Sequence, residues 1–511
     1  MRVRRHARLK ARTAFVACLA LAPLAFVGSY AATLAGLYES VTDFSRTAAW
    51  DPSDALPANY SRLAQLAEYF DDRFERFHAP LNFSTDAVFA DDACTVVDHY
   101  VYSDNGAQWT GLALTSFVYK YVAAKMEGDE EMRQDALRVI RRLVNGFCML
   151  LAVPNGGVGP GFPGTLARGW AGPEHRDVAA WYFSDDPRHH NGTGAYSNFR
   201  WRASTSNDEY SGLYGGLAAV LKHVTEPDVR HLAGLVVEQV AGHMLATNFL
   251  GLNWHGGPTG VDQKAKFFSG GAWALLLLKM AALVNPGKYE RLYYHYAAEE
   301  LYAAFATEGG PQEVVANYYA YAFGYHVVFS LATLEEDDRL RGLYLSLYQK
   351  SLRRHTANHR NPFYNAIHLA LTCEPGDDPA LEADVVDQLV RYDCPYHFPD
   401  RALGHAPIPA DQFPKVDDVE ELLEFLENDP HGSLYLPFFG EVRPGNTYYA
   451  RPLTVEYLPG DIFVWEKNPF QAPPDPQFVN PRYEYAGFSF PLVYWIARAH
   501  GFVPPPGGDG A

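Results

Sequence analysis

Carboxylates flanked by arginine and aromatic side chains are concentrated in residues 200–216, Arg-Trp-Arg-Ala-Ser-Thr-Ser-Asn-Asp-Glu-Tyr-Ser-Gly-Leu-Tyr-Gly-Gly. The stretch ends a loop rich in Gly, Pro and His and opens an apolar run that predicts a helix. Ser206 or Asn207 can cap this helix, because a short polar side chain accepts from an otherwise unpaired backbone N–H. Asp208 and Glu209 then lie in the first turn, where the helix dipole favours negative charge. Acids among guanidinium and aromatic groups are typical of a sugar-binding cleft, although a structural cap alone is the simpler alternative.

Two further carboxylates, Asp104 and Asp262, precede predicted helices in the same way. Cleavage of a glycosidic bond needs a proton donor at the leaving oxygen and a second carboxylate as base or nucleophile. The separation of the two decides between retaining and inverting chemistry. The candidate catalytic residues are therefore Asp104, Asp208, Glu209 and Asp262, with Asp104 and Asp208 as the preferred pair. The alternative is that each is only an N-cap or first-turn acid.

Aromatic and basic residues on the same loops are candidate substrate contacts. Sugars stack their C–H faces on aromatic rings, and Arg or Lys can hold a carboxylate or sulfate. Trp109 and Trp254 are of most interest, because both lie in polar loops next to glycine. The full set is Trp109, Arg200, Trp201, Tyr210, Trp254, His255, Lys264, Tyr318 and His359. Core packing is the alternative role for the aromatic members, and balance of local acids for the basic ones.

Helical periodicity dominates from residue 58 onward and predicts an all-α protein. Twelve helices are expected, at 58–78, 107–126, 129–152, 208–223, 227–247, 265–284, 287–305, 313–333, 336–355, 361–373, 379–392 and 486–500. Every second one follows a polar, aromatic loop and is rich in small apolar residues, whereas the others carry more charge, as 129–142 does. Alternating inner and outer helices describe an (α/α)6 toroid, in which the inner helices begin on one face and bring distant acids together. An irregular helical protein is the alternative, and a solenoid is disfavoured because no shared repeat is visible.

Two segments depart from this pattern. Residues 153–206 form a long loop with a high content of Gly, Pro and aromatic residues, which suggests a lid or binding wall. Residues 395–484 are expected to be a partly β, irregular insertion with one acidic helix near 418–428 and strand-like runs at 433–439 and 461–465. Both belong to a single domain over 57–505, followed by a tail at 506–511.

The N-terminus resembles an export signal. Residues 1–12 are strongly basic, 13–32 are almost wholly apolar, and small residues surround Ala31. This pattern predicts a signal peptide cut near Ala31 or Ala32, with an uncleaved membrane anchor as the alternative. Residues 33–56 are then a linker. Either way we expect an exported protein that is periplasmic, secreted or membrane-anchored and facing outward.

Charge and motif content exclude several functions. Residues 1–32 hold six of the 42 Lys and Arg and none of the 60 acids, so the remaining chain has a net charge of −24. This negative charge disfavours binding to nucleic acid and to anionic membranes. We therefore expect membrane contact only through the N-terminal segment, if that segment is not cleaved. No phosphate loop, dinucleotide fingerprint or His-Glu-x-x-His motif occurs, and the cluster around His189 and His190 matches no metal-binding spacing, so we expect neither cofactor nor metal. Four cysteines follow the apolar segment, and they could form two disulfides in an oxidising compartment: Cys94, Cys148, Cys373 and Cys394. Proximity in the sequence suggests Cys94 with Cys148 and Cys373 with Cys394, although three pairings are possible.

The helix pattern with Asp at successive inner-helix starts resembles the (α/α)6-toroid carbohydrate-active enzymes. Among them, unsaturated glucuronyl hydrolases use an Asp pair on such loops, and the resemblance places that pair at Asp104 and Asp208. Residues 460–470 and 490–495 are also similar to stretches in uncharacterised exported bacterial proteins. The similarity of these two stretches implies family membership but no activity. The resemblance to the toroid enzymes implies a glycoside hydrolase acting on an oligo- or polysaccharide, here an exported one. The alternatives are a non-catalytic carbohydrate-binding or envelope-assembly protein, and a polysaccharide lyase or epimerase that would rely on His255, Tyr318 and His359.

Overall fold

The computed structural model describes most of the chain, and its helices confirm the all-α prediction. The described residues are 28–39, 42–48, 50–101, 105–253, 255–264, 270–306, 314, 318–394, 407–416, 418–435, 447–458, 468–471, 482–486 and 488–507.

Six helices, called the central helices here, coincide with the predicted inner set. They are α2 (Gly106–Glu127), α4 (Asn207–His223), α6 (Gly271–Val284), α8 (Tyr319–Leu334), α10 (Pro362–Thr372) and α13 (Ser489–Ala499). They are apolar around most of their circumference, and α6 is buried throughout residues 271–282. A helix that is apolar on all sides must be covered on all sides, which places these helices inside the molecule.

Six peripheral helices alternate with them along the chain. They are α1 (Tyr60–Arg73), α3 (Glu130–Asn155), α5 (Pro227–Ala246), α7 (Pro286–Tyr294), α9 (Asp338–Tyr348) and α11 (Pro379–Tyr392). Helix α12 (Asp418–Asn428) lies in the predicted insertion, at the predicted place. In α3, one stripe of apolar residues is buried, while Glu130, Glu131 and Asp135 in its first turns are exposed, as expected for a surface helix.

The central helices contact one another in a closed series. Helix α2 packs on α4, α4 on α6, α6 on α8, α8 on α10, α10 on α13, and α13 returns to α2. Each peripheral helix packs against at least one central helix. The series is flattened, because α4 also packs directly on α8. At this contact His326 of α8 lies against Gly215 of α4, and its Nε2 is hydrogen-bonded to the hydroxyl of Thr115 in α2 at 2.9 Å.

In the described part of the chain, three small antiparallel sheets accompany the helices. Strands β1 (Asp86–Phe89), β2 (Val97–Val101) and β8 (Tyr483–Glu484) form one sheet, in the order β2-β1-β8. Strands β3 (Gly169–Ala171), β4 (His189–Asn191) and β5 (Arg200–Arg202) form another, in the order β3-β5-β4. Strands β6 (Leu250–Leu252) and β7 (Pro258–Asp262) form a hairpin. The long segment 153–206 is therefore organised around a sheet that the sequence pattern did not predict.

The predicted strands in the insertion and the predicted N-terminal linker also differ from the sequence-based expectation. The predicted strand from residue 433 begins as a 3-10 turn over Gly432–Leu434, and 436–439 and 461–465 lie outside the described residues. Residues 28–39 and 42–47 are helical, and the Tyr30 ring stacks on Tyr435 at 4.8 Å. Of the helices in the described part of the chain, none combines the length and apolarity needed to cross a bilayer.

The expected disulfides are not formed. Cys148 is a buried thiol within α3, and burial raises its pKa to about 12. Cys373, directly after α10, is likewise a thiol. Neither of the pairings suggested by proximity in the sequence, Cys94 with Cys148 and Cys373 with Cys394, is therefore present.

Helices α2 and α4 approach each other so closely that their backbones touch. A Cβ on Gly111 would collide with the carbonyl of Gly212, and a Cβ on Gly212 would collide with backbone atoms of Gln108 and Ala107. The clashing atoms are backbone, so a larger side chain can be accommodated only by separating the helices.

We expect Gly212→Ala to lower the free energy of unfolding by about 3 kcal/mol or more, because overpacking against rigid backbone cannot be relieved locally. Urea denaturation measures this loss. The matched control is Gly242→Ala in α5, where a Cβ meets nothing within 4 Å. There the better helix propensity of Ala should stabilise by up to about 1 kcal/mol. Equal effects of the two substitutions would contradict the close contact.

Candidate functional site

The N-terminal ends of α4, α6 and α8 border a cavity of about 150 Å³. Its lining includes Asn207, Asp208, Asp262, Gln263, Trp273, Tyr319 and Phe323. Two of the four acids predicted to be catalytic, Asp208 and Asp262, therefore meet at one cavity although they are far apart in the chain. Asp104, the preferred partner of Asp208 in the sequence analysis, lies outside the described residues.

Asp208 lies in the first turn of α4 and is half-buried. Its carboxyl accepts no hydrogen bond from another residue in the described part of the chain. Burial raises the pKa of Asp208, and the nearby Arg168 guanidinium opposes this rise. A carboxyl group that keeps its proton to a higher pH than usual is suited to act as a general acid.

Asp262 ends strand β7 and is exposed to solvent. The backbone N–H of Lys264 donates to its Oδ1 at 2.9 Å, which orients the carboxylate at the end of the hairpin. The two cavity acids thus have different surroundings, one enclosed and one open to water. Such a difference separates an acid from a base or nucleophile in carboxylate pairs.

Glu209 does not line the cavity, although it follows Asp208 directly. It is fully buried, and its Oε2 accepts the backbone N–H of Ala107 at 2.8 Å. Arg168 Nη1 lies 3.9 Å from Oε1. Burial raises the pKa of Glu209 to about 8, against the opposing effects of Arg168 and the Ala107 N–H. Glu209 therefore caps the start of α2 from the neighbouring helix, and burial favours its uncharged, protonated form.

The capping of α4 itself differs from the prediction. Ser206 occupies the N-cap position, but its side chain makes no capping hydrogen bond. The Oδ1 atom of Asn207 is also buried and has no hydrogen-bond partner among the described residues. The side chains of Ser206 and Asn207 therefore do not cap α4.

One wall of the cavity is aromatic. The rings of Trp273 and Phe323 meet edge to face at 5.6 Å, and Tyr319 lies 6.0 Å from Phe323. Gln263, directly after Asp262, lies beside them and is buried. Sequence reasoning did not select Trp273 or Gln263, because Trp273 belongs to a uniformly apolar helix. Its place in the first turn of a central helix is the signal that could have found it.

Most of the predicted substrate-binding residues do not reach this cavity. Trp109 is buried and packs on Phe488 at 5.9 Å, and Tyr210 is buried beside Tyr214. His255 and Lys264 are exposed, and Trp254 lies outside the described residues. The burial of Trp109 and Tyr210 matches their alternative role, which is packing in the core.

The Arg200–Trp201 pair is held by the sheet of strands β3–β5. Arg200 donates to the backbone oxygen of Tyr182 at 3.1 Å and to Asn191 Oδ1 at 2.8 Å. Trp201 is buried, and its indole N–H donates to the Asn191 carbonyl at 3.0 Å. Their contacts stabilise the 153–206 segment.

Tyr318 and His359 do come together, with the Tyr318 hydroxyl 3.2 Å from His359 Nδ1. Both are buried, and burial lowers the pKa of His359 to about 3. Neither residue lines the cavity at Asp208. The pair that a lyase or epimerase would use is therefore enclosed within the protein.

No protein-family model, curated protein or solved structure matches the chain. Within the described residues, no group of three or more His, Cys, Asp or Glu side chains is arranged to hold a metal ion. The cavity and its acids are therefore the features of the described residues that point to a function.

Glu209 should make stability depend on pH. Its pKa rises from 4.5 to about 8 on folding, so between these values the folded state keeps a proton that the unfolded state has lost. The free energy of unfolding should therefore fall as pH rises, by up to about 1.4 kcal/mol per pH unit. Glu209→Gln carries no charge at any pH and should lack this component. Urea denaturation from pH 5 to 8 measures the difference, which should grow in favour of the variant.

The control is Glu131→Gln, which removes an exposed carboxylate from the first turn of α3. Its stability difference from the wild type should stay nearly constant over the same range. A constant difference for Glu209→Gln as well would show that Glu209 is ionised in the folded protein.

Proposed function

We propose that the chain is an exported glycoside hydrolase built on an (α/α)6 toroid. The closed series of six central helices, covered by six peripheral ones, supports the toroid. The single observation that carries the enzymatic proposal is that Asp208 and Asp262 line one cavity, at the N-terminal ends of central helices. The substrate is an oligo- or polysaccharide, nucleic acid is not a partner, and contact with a membrane is limited to the N-terminal segment.

The two acids take different roles in this proposal. Asp208, whose pKa burial raises, protonates the glycosidic oxygen as the leaving group departs. Asp262, which is exposed, acts as the base that activates water or as the nucleophile at the anomeric carbon. Trp273 and Phe323 supply the apolar wall on which the C–H face of a sugar ring can stack.

Two alternatives to a hydrolase are a lyase or epimerase and a non-catalytic binding protein. A lyase or epimerase that uses Tyr318 and His359 is disfavoured, because both side chains are buried away from the cavity. A non-catalytic carbohydrate-binding protein would use the same cavity without chemistry. Hydrolysis assays separate that alternative from the enzyme.

The test uses Asp208→Asn with two kinds of glycoside, one with a poor alkyl leaving group and one with a good aryl leaving group. Loss of a general acid should lower kcat on the alkyl glycoside by about 100-fold or more. The loss on the aryl glycoside should be much smaller, because that leaving group departs without a proton. The fall in kcat/KM of the wild type as pH rises through the pKa of Asp208 should disappear in the variant.

Asp338→Asn is the matched control, since Asp338 is an exposed first-turn acid on the peripheral helix α9. It should leave both activities unchanged. Asp262→Asn should lower the rates on both substrates alike. Full alkyl-glycoside activity in folded Asp208→Asn would remove Asp208 from the mechanism, and sugar binding without hydrolysis by the wild type would favour the binding protein.

A further inference from the structure

Arg168 lies where the long segment 153–206 meets the first turns of α2 and α4. It directly precedes strand β3, and its backbone N–H donates to the carbonyl of Arg202 in β5 at 3.0 Å. Its own carbonyl packs so closely on Gly106 that a Cβ there would lie 2.3 Å from the oxygen. The backbone of residue 168 is therefore fixed on both sides, and its side chain starts from a defined position.

The Arg168 side chain holds the loops that precede both helices. Its Nε donates to the backbone carbonyl of Ser204, two residues before the N-cap of α4. Its Nη1 donates to Oδ1 of Asn105, the N-cap residue of α2, at 3.2 Å. Ser204 has a φ of 74°, a left-handed backbone conformation that is unfavourable for residues other than glycine and persists only where the surroundings hold it. The hydrogen bond from Arg168 helps to hold this turn.

The guanidinium charge of Arg168 acts on both acids at the start of α4. Its Nη1 lies 3.9 Å from Oε1 of Glu209, and only 14% of the Arg168 side chain is exposed. Charges act strongly on one another where water is largely excluded. Burial raises the pKa of Asp208, and the charge of Arg168 opposes that rise. The same holds for Glu209, so Arg168 favours the ionised form of both carboxyl groups.

Other ionisable side chains also surround this pair of acids. Among the described residues, Arg168 is the cation that opposes the effect of burial on Asp208, whereas Arg202 acts on Glu209. An acid and a phenol complete the surroundings of Asp208 from the other elements that border the cavity: Asp262 of β7 and Tyr319 of α8. Removal of the Arg168 charge should therefore change the ionisation of Asp208.

A general acid must release its proton as well as hold it. When Asp208 gives its proton to the glycosidic oxygen, its O–H bond breaks and a carboxylate is left in a largely enclosed position. A buried carboxylate without a nearby cation is unfavourable, so the proton would be held too tightly for ready transfer. The guanidinium of Arg168 offsets part of this cost.

We infer that Arg168 is a positioning residue of the proposed hydrolase, which holds the start of α4 against α2 and stabilises the carboxylate that Asp208 becomes on releasing its proton. The inference rests on the proposed function, because it assigns Arg168 a role in proton transfer by the same acid. Arg168 acts through Asp208 and not by contact with the substrate. A purely structural clamp would need the hydrogen bonds of Arg168 but not its charge, and the two tests below separate these contributions.

The first test needs no substrate. A double-mutant cycle of Arg168→Gln and Asp208→Asn in the full chain, with urea denaturation between pH 4 and 8, measures how far the two side chains stabilise each other. At pH 8, where Asp208 is ionised, their coupling should change the unfolding equilibrium constant about threefold or more. The coupling should fall towards zero as the pH drops and Asp208 takes up its proton, because the charge pair is then lost.

The matched control is a cycle of Arg142→Gln with Asp208→Asn. Arg142 is also a partly buried arginine that donates to a backbone carbonyl, that of Ala79 at 2.8 Å, but it lies in α3 and does not line the cavity. Arg142→Gln should lower stability without any coupling to residue 208 at either pH, since distant sites act additively.

The second test follows activity on the alkyl and aryl glycosides. In Arg168→Gln, Asp208 should keep its proton to higher pH, so the fall of kcat/KM with rising pH should move up by about one pH unit. Because Asp208 is then a weaker acid, kcat on the alkyl glycoside should fall about three- to tenfold, and kcat on the aryl glycoside should fall less.

Arg168→Lys keeps the charge, so the fall of kcat/KM should stay at the wild-type pH. An ammonium group cannot reproduce the fixed fork of a guanidinium, and kcat on the alkyl glycoside should still decrease about threefold. This variant also tests the inference if Arg168→Gln fails to fold. A pH profile that moves in Arg168→Lys would contradict the role of the charge, and an unchanged kcat would contradict the role of the hydrogen bonds.

No coupling between residues 168 and 208 in the folded variants, or a pH profile of Arg168→Gln that coincides with that of the wild type, would overturn the inference. Coupling that grows with pH in a chain that hydrolyses no glycoside would support the action of Arg168 on Asp208 and reject the enzyme. Hydrolysis without such coupling would leave the enzyme and reject the role of Arg168.

Discussion

The backbone contact between α2 and α4 is the constraint on which the site depends. Gly111 and Gly212 leave no side chain between the two helices, so their first turns come within hydrogen-bond distance of each other. Glu209 can then reach the backbone N–H of Ala107, and Ser211 bonds to the side chain of Gln108. These contacts satisfy polar groups at the start of α2 that would otherwise be buried without partners, because the first N–H groups of a helix have no partner within it. Burial raises the pKa of Glu209 although Arg168 lies 3.9 Å away, and so it favours the neutral acid at this contact.

The same contact directs Asp208 towards the cavity. Successive residues of an α-helix point about 100° apart, so the neighbour of a residue facing α2 must face elsewhere. With Glu209 held against Ala107, Asp208 is turned to the side where α6 and α8 begin. One carboxyl group thus fastens two helices, and the adjacent one lines the cavity. The two adjacent acids therefore have different roles, because their side chains leave the helix in different directions.

Much of this could be predicted from the sequence, and the exceptions have physical causes. Helix positions followed from apolar periodicity and from Gly and Pro breaks, and Asp208 and Asp262 were selected because acids favour helix N-termini. The β3–β5 sheet was not predicted, because strands of three residues depend on tertiary contacts and leave little periodicity. Trp109 was assigned to the substrate, but its polar neighbours in sequence do not determine which way its ring faces. Trp273 and Gln263 became candidates only when the fold placed them beside Asp208.

The central helices also separate charge along their axes. Lys120 in α2 and Lys279 in α6 lie in the C-terminal halves of their helices, where the dipole favours a cation. Each is paired with a buried acid, Lys120 with Asp71 at 2.7 Å and Lys279 with Glu335 at 2.8 Å. These lysines are therefore engaged far from the N-terminal ends, where Asp208 and Asp262 lie. Arg168 already opposes the rise that burial causes in the pKa of Asp208, and a further cationic side chain there would weaken Asp208 more as an acid. Keeping these lysines at the other end favours the protonated state of Asp208.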